Sequence, residues 1–175
     1  MNIFKVLFLS IISVGSALSA PKIWDGSADE SWYSDGAQAY NLTTAEELAG
    51  LASLVNKGVT FEGKTITLGA DIFLNDTTGA ADGSWNLTRL TQWIPIGKTG
   101  KPFKGEFDGL AGSKRRKIYG LYINEPLGNK KGLFGHTEGV SIKNLELLYG
   151  NIIANDTIGG LVAFAKNVSA THFRI

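Results

Sequence analysis

Few side chains in this sequence are equipped for covalent or metal chemistry. There is no cysteine and there are only 2 histidines, which removes thiol nucleophiles, disulfides, thiolate-bound zinc and iron–sulfur clusters. Glu106 and Asp108 stand two apart in a stretch of extended character, so their side chains share one face and could act as a carboxylate pair or bind Ca2+. Asp108 before Gly109 is also a turn opener, through its carboxylate accepting from the following backbone, and that reading is preferred. His136 has only Glu138 at ligand spacing and is read as a turn-edge histidine. Asn75, Asp76, Gly79 and Asp82 could crowd oxygens around Ca2+, but their spacing does not match an EF-hand, so a solvated loop is preferred. Neither His-Glu-x-x-His nor Gly-x-Ser-x-Gly occurs. No catalytic residue, metal site or cofactor is assigned, and the chain is expected not to be an enzyme.

Binding chemistry has better candidates. Lys114, Arg115, Arg116 and Lys117 form the densest charge run, and stacking of successive chain turns could bring Lys130 and Lys131 beside them. Six cations together would suit an anionic glycan or cell-envelope polymer, in competition with a plain solvated loop. Trp24, Trp32 and Tyr33 could offer rings to the C–H face of a sugar. Their competing role is burial against neighbouring elements. With 17 Lys+Arg against 16 Asp+Glu the formal charge is +1, which argues against nucleic acid as a main partner.

The first residues carry one cation, Lys5, then the apolar run Val6–Val14 broken by two serines, then small residues to Ala20. That order predicts a secretory signal peptide over 1–19, cut at the Ser19–Ala20 bond, because cleavage after Ala20 would put Pro21 behind the scissile bond. The apolar run is too short to span a bilayer, so no membrane span is expected after cleavage. Losing Lys5 leaves equal numbers of basic and acidic residues, a neutral product at the cell surface or outside it. Sequons begin at Asn41, Asn75, Asn86, Asn155 and Asn167; in a Thr- and Asn-rich β protein they serve equally well as turn and ladder residues.

The elements that must position these residues are mostly short strands. With 22 glycines and only 19% charged residues, the chain has the balance of a turn-rich β protein of one domain. Residues 20–60 are expected to hold an irregular aromatic segment and a single helix. Thr44 with Glu47, or Thr43 with Glu46, makes a capping box; Leu48, Leu51, Ala52 and Val55 follow at helical spacing; Lys57 and Gly58 close it. Over 61–175 the apolar period becomes two, as in Thr65–Leu68, Lys117–Ile123 and Ser141–Leu147. Leu133-Phe134-Gly135 with Val140-Ser141-Ile142 is echoed 28 residues on by Leu161-Val162-Ala163 with Val168-Ser169-Ala170, and the Ile118-to-Ile142 spacing of 24 is expected to extend that register backwards. Such a period predicts a β-solenoid whose first opening is covered by the helix. The last turn of chain would be left uncapped, open to end-to-end self-association or marking a truncated product.

An ordered series of short segments carries a family resemblance. Trp24-Asp25-Gly26, Thr44–Ala52, Gly63–Leu68, Trp93-Ile94-Pro95-Ile96-Gly97, Phe103–Gly109, Ile118–Ile123 and Gly132-Leu133-Phe134-Gly135 together resemble bacterial secreted and cell-surface proteins bearing the GLUG motif. Those proteins accompany adhesin-like regions and some immunoglobulin A-specific metallopeptidases. The resemblance implies a right-handed parallel β-helix serving as a non-catalytic stalk or binding module, with an extracellular glycan or a host or envelope surface as partner. A β-helix polysaccharide lyase or hydrolase using Glu106 and Asp108, and an N-terminal fragment of a larger surface protein, are the competing readings. In the second motif copy Ala163 replaces glycine and His172-Phe173 replaces Asn144-Leu145, so regular pairing is expected to weaken there.

Overall fold

The computed structural model describes residues 20–172 and 174. The leader expected over 1–19 lies outside them, as does Phe173. Thirteen short strands and one α-helix are present among the described residues. In chain order they are β1 (Ala39–Leu42), α1 (Ala45–Lys57), β2 (Thr65–Leu68), β3 (Ile72–Phe73), β4 (Glu106–Asp108), β5 (Leu110–Ala111) and β6 (Lys114–Tyr119). Then come β7 (Tyr122–Lys131), β8 (Phe134–Glu138), β9 (Ser141–Lys143), β10 (Leu145–Leu148), β11 (Asn151–Ile158), β12 (Val162–Lys166) and β13 (Ser169–Thr171). The protein is mainly β with one α-helix, as the composition and period led one to expect.

The strands pair in parallel with strands far along the chain. One sheet runs β1-β2-β4-β9-β13, a second runs β10-β6-β3, and β7 pairs β11 as β8 pairs β12. Parallel partners need a long crossover between them; α1 supplies it between β1 and β2, a mostly irregular stretch between β2 and β4, and strands of the other sheets between the later partners. The 28-residue echo is a true register: Ser141 faces Ser169 and Phe134 faces Val162. The inward residues Ile66, Phe107 and Ile142 of β2, β4 and β9 are aligned across the sheet and fully buried. They stack because strand side chains alternate between faces, so one register places all the apolar ones on one side.

Several sequence expectations are corrected. Ile118 and Ile142 do not share a register: Ile118 faces Ile72 and Leu147, whereas Ile142 faces Phe107. The alternating runs 117–123 and 141–147 are each two strands, bent at Gly120 (φ +74) and Asn144 (φ +56), and period-two reading cannot see a corner that preserves the alternation. Pairing does not lapse near the end. His172 (φ +55) takes the left-handed corner conformation of Asn144, β13 pairs β9, and Arg174 bridges Glu146. The basic run 114–117 is a strand rather than a loop, with β5 and β6 forming an antiparallel hairpin.

α1 forms as its local code requires. Thr44 accepts from the Glu47 amide at 3.2 Å, and Glu47 accepts from the Thr44 amide at 3.1 Å and the Thr43 amide at 2.6 Å. That reciprocal pair satisfies donors the first turn leaves open. Leu48, Leu51, Ala52 and Val55 are buried, joining a single core with Trp24, Trp93, Phe103 and Phe134. The helix is fixed to the chain below it by Asn56 Nδ2 donating to the Pro95 carbonyl at 3.0 Å, and by Lys101 Nζ donating to the Lys57 carbonyl at 3.1 Å.

Candidate functional site

The carboxylate pair is present but engaged. Glu106 and Asp108 lie on the outer face of β4, flanking the buried Phe107. Lys143, opposite on β9, pairs with Glu106 and lies 3.6 Å from Asp108. The Glu106 carboxylate, then weaker attraction to Asp108, holds the Lys143 ammonium above its ordinary range. Asp108 Oδ1 also accepts from the Leu110 amide and from Asn144 Nδ2, both at 2.9 Å. The turn role preferred from sequence is therefore in place, and both carboxylates are committed to a cross-strand ion pair.

The six cations fall into two groups. Lys114 to Lys117 stand on β6, whereas Lys130 and Lys131 end β7, beyond the Gly120 corner and in a different sheet. Lys114 lies 3.6 Å from Asp71, while Arg115 and Lys117 converge on Glu146 at 3.7 and 3.8 Å. Two carboxylates thus answer three of these four cations, and Arg116 makes no ion pair with a described residue. Lys131 pairs with Glu125 at 2.5 Å. Lys130 has no acidic partner among the described residues: its Nζ lies 3.1 Å from Thr99 Oγ1 and 4.3 Å from the centre of the Phe164 ring.

The three aromatic candidates also separate. Trp32 and Tyr33 pack with Tyr40 and Phe61 in one aromatic cluster. Burial first, and then the hydrogen bond to Asp35, push the Tyr33 phenol up to about 12. Trp24 is buried, sets its ring edge-to-face with Trp93 at 5.5 Å, and donates Nε1 to the Ser27 carbonyl at 2.7 Å. Burial against neighbouring elements accounts for most of the area of these rings. His136 receives no cluster of ligands; its Nδ1 is 3.2 Å from the Lys98 carbonyl. Asp76 and Asp82 each accept from the residue two along, Thr78 and Ser84, so they build loop turns. Asn75 is buried, donating to the Thr91 and Gly120 carbonyls, which makes it a structural residue despite its sequon.

The structure assembles a site that sequence inspection did not. Two adjoining cavities, about 340 and 370 Å³, lie between α1 and the 94–101 segment and share Asn56, Ile94 and Lys98. Trp24 walls the first and Lys130 with Lys131 the second, so one aromatic and two cationic candidates meet at a common groove. Ala49 and Ala52 keep the helix side shallow. Gly97 (φ +81) and Gly100 (φ +79) shape the tight turn that carries Lys98, whose backbone exchanges hydrogen bonds with Lys101. A side chain at Gly97 would strike the His136 carbonyl. Gly-Lys-Thr-Gly-Lys was readable as a turn, but which lysine lacks an acid partner depends on contacts from distant strands.

Comparison with protein-family models, with curated proteins and with solved structures finds no match.

Proposed function

We propose that this chain is a non-catalytic, exported binding or adhesion module of the GLUG-bearing kind, built as a right-handed parallel β-solenoid with α1 as its N-terminal cap. Its ligand is an extracellular glycan or an envelope or host surface. The solenoid reading is supported by parallel pairing in all four sheets, and by a spacing of 27 to 29 residues in the last four pairs, as in Ser141 with Ser169 and Tyr122 with Asn151. Left-handed corners recur on the same interval, at Gly120 and Tyr149, Gly139 and Asn167, and Asn144 and His172. Each turn of such a tube supplies an apolar layer to its neighbour.

The observation that carries the non-catalytic reading is the Glu106–Lys143–Asp108 arrangement. A glycosidase needs one carboxyl held protonated and another free to attack or activate water. Here one lysine ammonium lies against both carboxylates on an outer sheet face. The test is paired: binding of the mature chain to immobilised polysaccharides, and product release from polygalacturonate and xylan. Retention without turnover is expected. Turnover abolished by Asp108→Asn in a folded variant would replace this reading with a lyase or hydrolase.

A further inference from the structure

Among the described residues, the charged side chains lining the groove beside α1 are cations alone. Lys57, Lys98, Lys130 and Lys131 line its two cavities, and no acidic side chain does so among the described residues. Two of the four are answered from outside it, Lys57 by Glu30 at 2.6 Å and Lys131 by Glu125 at 2.5 Å. Lys98 and Lys130 make no ion pair with a described residue. In a chain with formal charge +1, this is a local excess of cations facing a concave surface, where low-dielectric walls strengthen attraction for an anion.

A second observation concerns hydrogen bonding. Asn56 lines both cavities. Its Nδ2 donates to the Pro95 carbonyl, while its Oδ1 is buried without any partner. A buried acceptor left unmade is costly, and such atoms ordinarily find a donor. That atom has no surface open to the groove, so what Asn56 contributes there is its link to the Pro95 carbonyl, which holds the 94–101 segment against α1. Ile94, 64% exposed, and the edge of Trp24 add apolar wall next to this acceptor. An occupant that suits this surface carries anionic groups for Lys98 and Lys130 and a C–H face for Ile94.

We infer that the groove binds an acidic polysaccharide, a sugar chain bearing carboxylate or sulfate groups. This rests on the glycan-binding reading above and specifies the ligand and the residues. Lys98 and Lys130 contribute charge, and Ile94 packs on the ring. The basic run Lys114–Lys117 is not part of the site: it lines neither cavity, and Asp71 and Glu146 answer three of its four cations.

The experiment measures binding of the mature chain to polygalacturonate, dextran sulfate, neutral dextran and polyglutamate, in low and high salt. Binding to at least one acidic polysaccharide, weaker in salt, with little affinity for dextran or polyglutamate, is expected. Carboxylate and sulfate sources are told apart by the first two ligands. Lys98→Gln with Lys130→Asn should weaken binding roughly tenfold, as loss of two exposed charge contacts implies. Asparagine is chosen at Lys130 because that residue has φ +57 and asparagine tolerates the left-handed region. Lys114→Gln with Arg115→Gln should bind as the parent does, and an unchanged thermal midpoint in both variants excludes unfolding as the cause. Equal binding of dextran, equal binding of polyglutamate, or indifference to the Lys98/Lys130 pair overturns the inference while leaving a glycan-binding module standing. Failure to bind any polysaccharide overturns the underlying reading as well.

Discussion

The two ends of the molecule are built on one register but buried very differently. Near α1, inward residues such as Leu48, Leu51, Val55, Ile66 and Leu68 are fully out of water. In the last strands the residues aligned with buried ones are less covered: Ile152 and Val162, in register with Ile123 and Phe134, are half-buried, and Ala170, in register with Ile142, is exposed. β2 lies between β1 and β4, whereas β11, β12 and β13 each have a neighbour on one side. The residue types are similar at both ends. What differs is whether another layer lies above them, so burial in this fold belongs to the neighbour rather than to the strand itself.

That contrast can be broken most forcefully in the core. Leu51→Ala should cost about 2–5 kcal/mol in urea unfolding, because a fully buried leucine leaves a cavity, while Ile152→Ala, at a half-buried inward position, should cost about 1 kcal/mol. Equal losses would sink the distinction. Gly97→Ala should cost about 3 kcal/mol, combining left-handed strain with overpacking against the His136 carbonyl. At Gly139 (φ +65), where nothing lies near an added Cβ, alanine should cost only the strain. Thermal unfolding of the two variants separates crowding from backbone conformation.

Smaller effects sharpen the same comparison. Thr44→Ala should remove about 1 kcal/mol by opening the capping box, and hydrogen exchange should then quicken in α1 before it does in β2. In the parent protein, amides of β2 and β4 should exchange most slowly and those of β12 and β13 soonest, since local opening follows neighbour contacts. The least effect is alkaline. The Tyr33 phenol is raised from an ordinary 10.0 to about 12 in the folded state. Below pH 10 its stabilising contribution is complete. Between about pH 10 and 12 the unfolded chain ionises first and stability falls. Tyr33→Phe should flatten that part of the stability profile, and an unaltered slope would show that the aromatic cluster does not hold the phenol neutral.

Much of the local structure was legible. The capping box, the helical stripe, the Asp108 turn and the 28-residue echo each rest on interactions or spacings within a short window. The corners at Gly120 and Asn144 were not, because a bend that keeps apolar residues inward leaves the alternation undisturbed. Lys114 to Lys117 looked like free charge, since nothing near them in sequence announces Asp71 or Glu146. Trp32 and Tyr33 looked available for a ligand, since their neighbours Tyr40 and Phe61 arrive from other segments.

Sequence alone determined the helix, the strand character and the repeat interval, because capping, periodicity and turn propensity act through the nearest few residues. Tertiary structure decided which charges were answered and which ring faces were covered. It also decided that Asn56, Lys98 and Lys130, 74 residues apart at the extremes, open onto one groove. Charge compensation and burial are properties of atoms brought within a few ångströms, and in a parallel fold those atoms come from strands far apart along the chain.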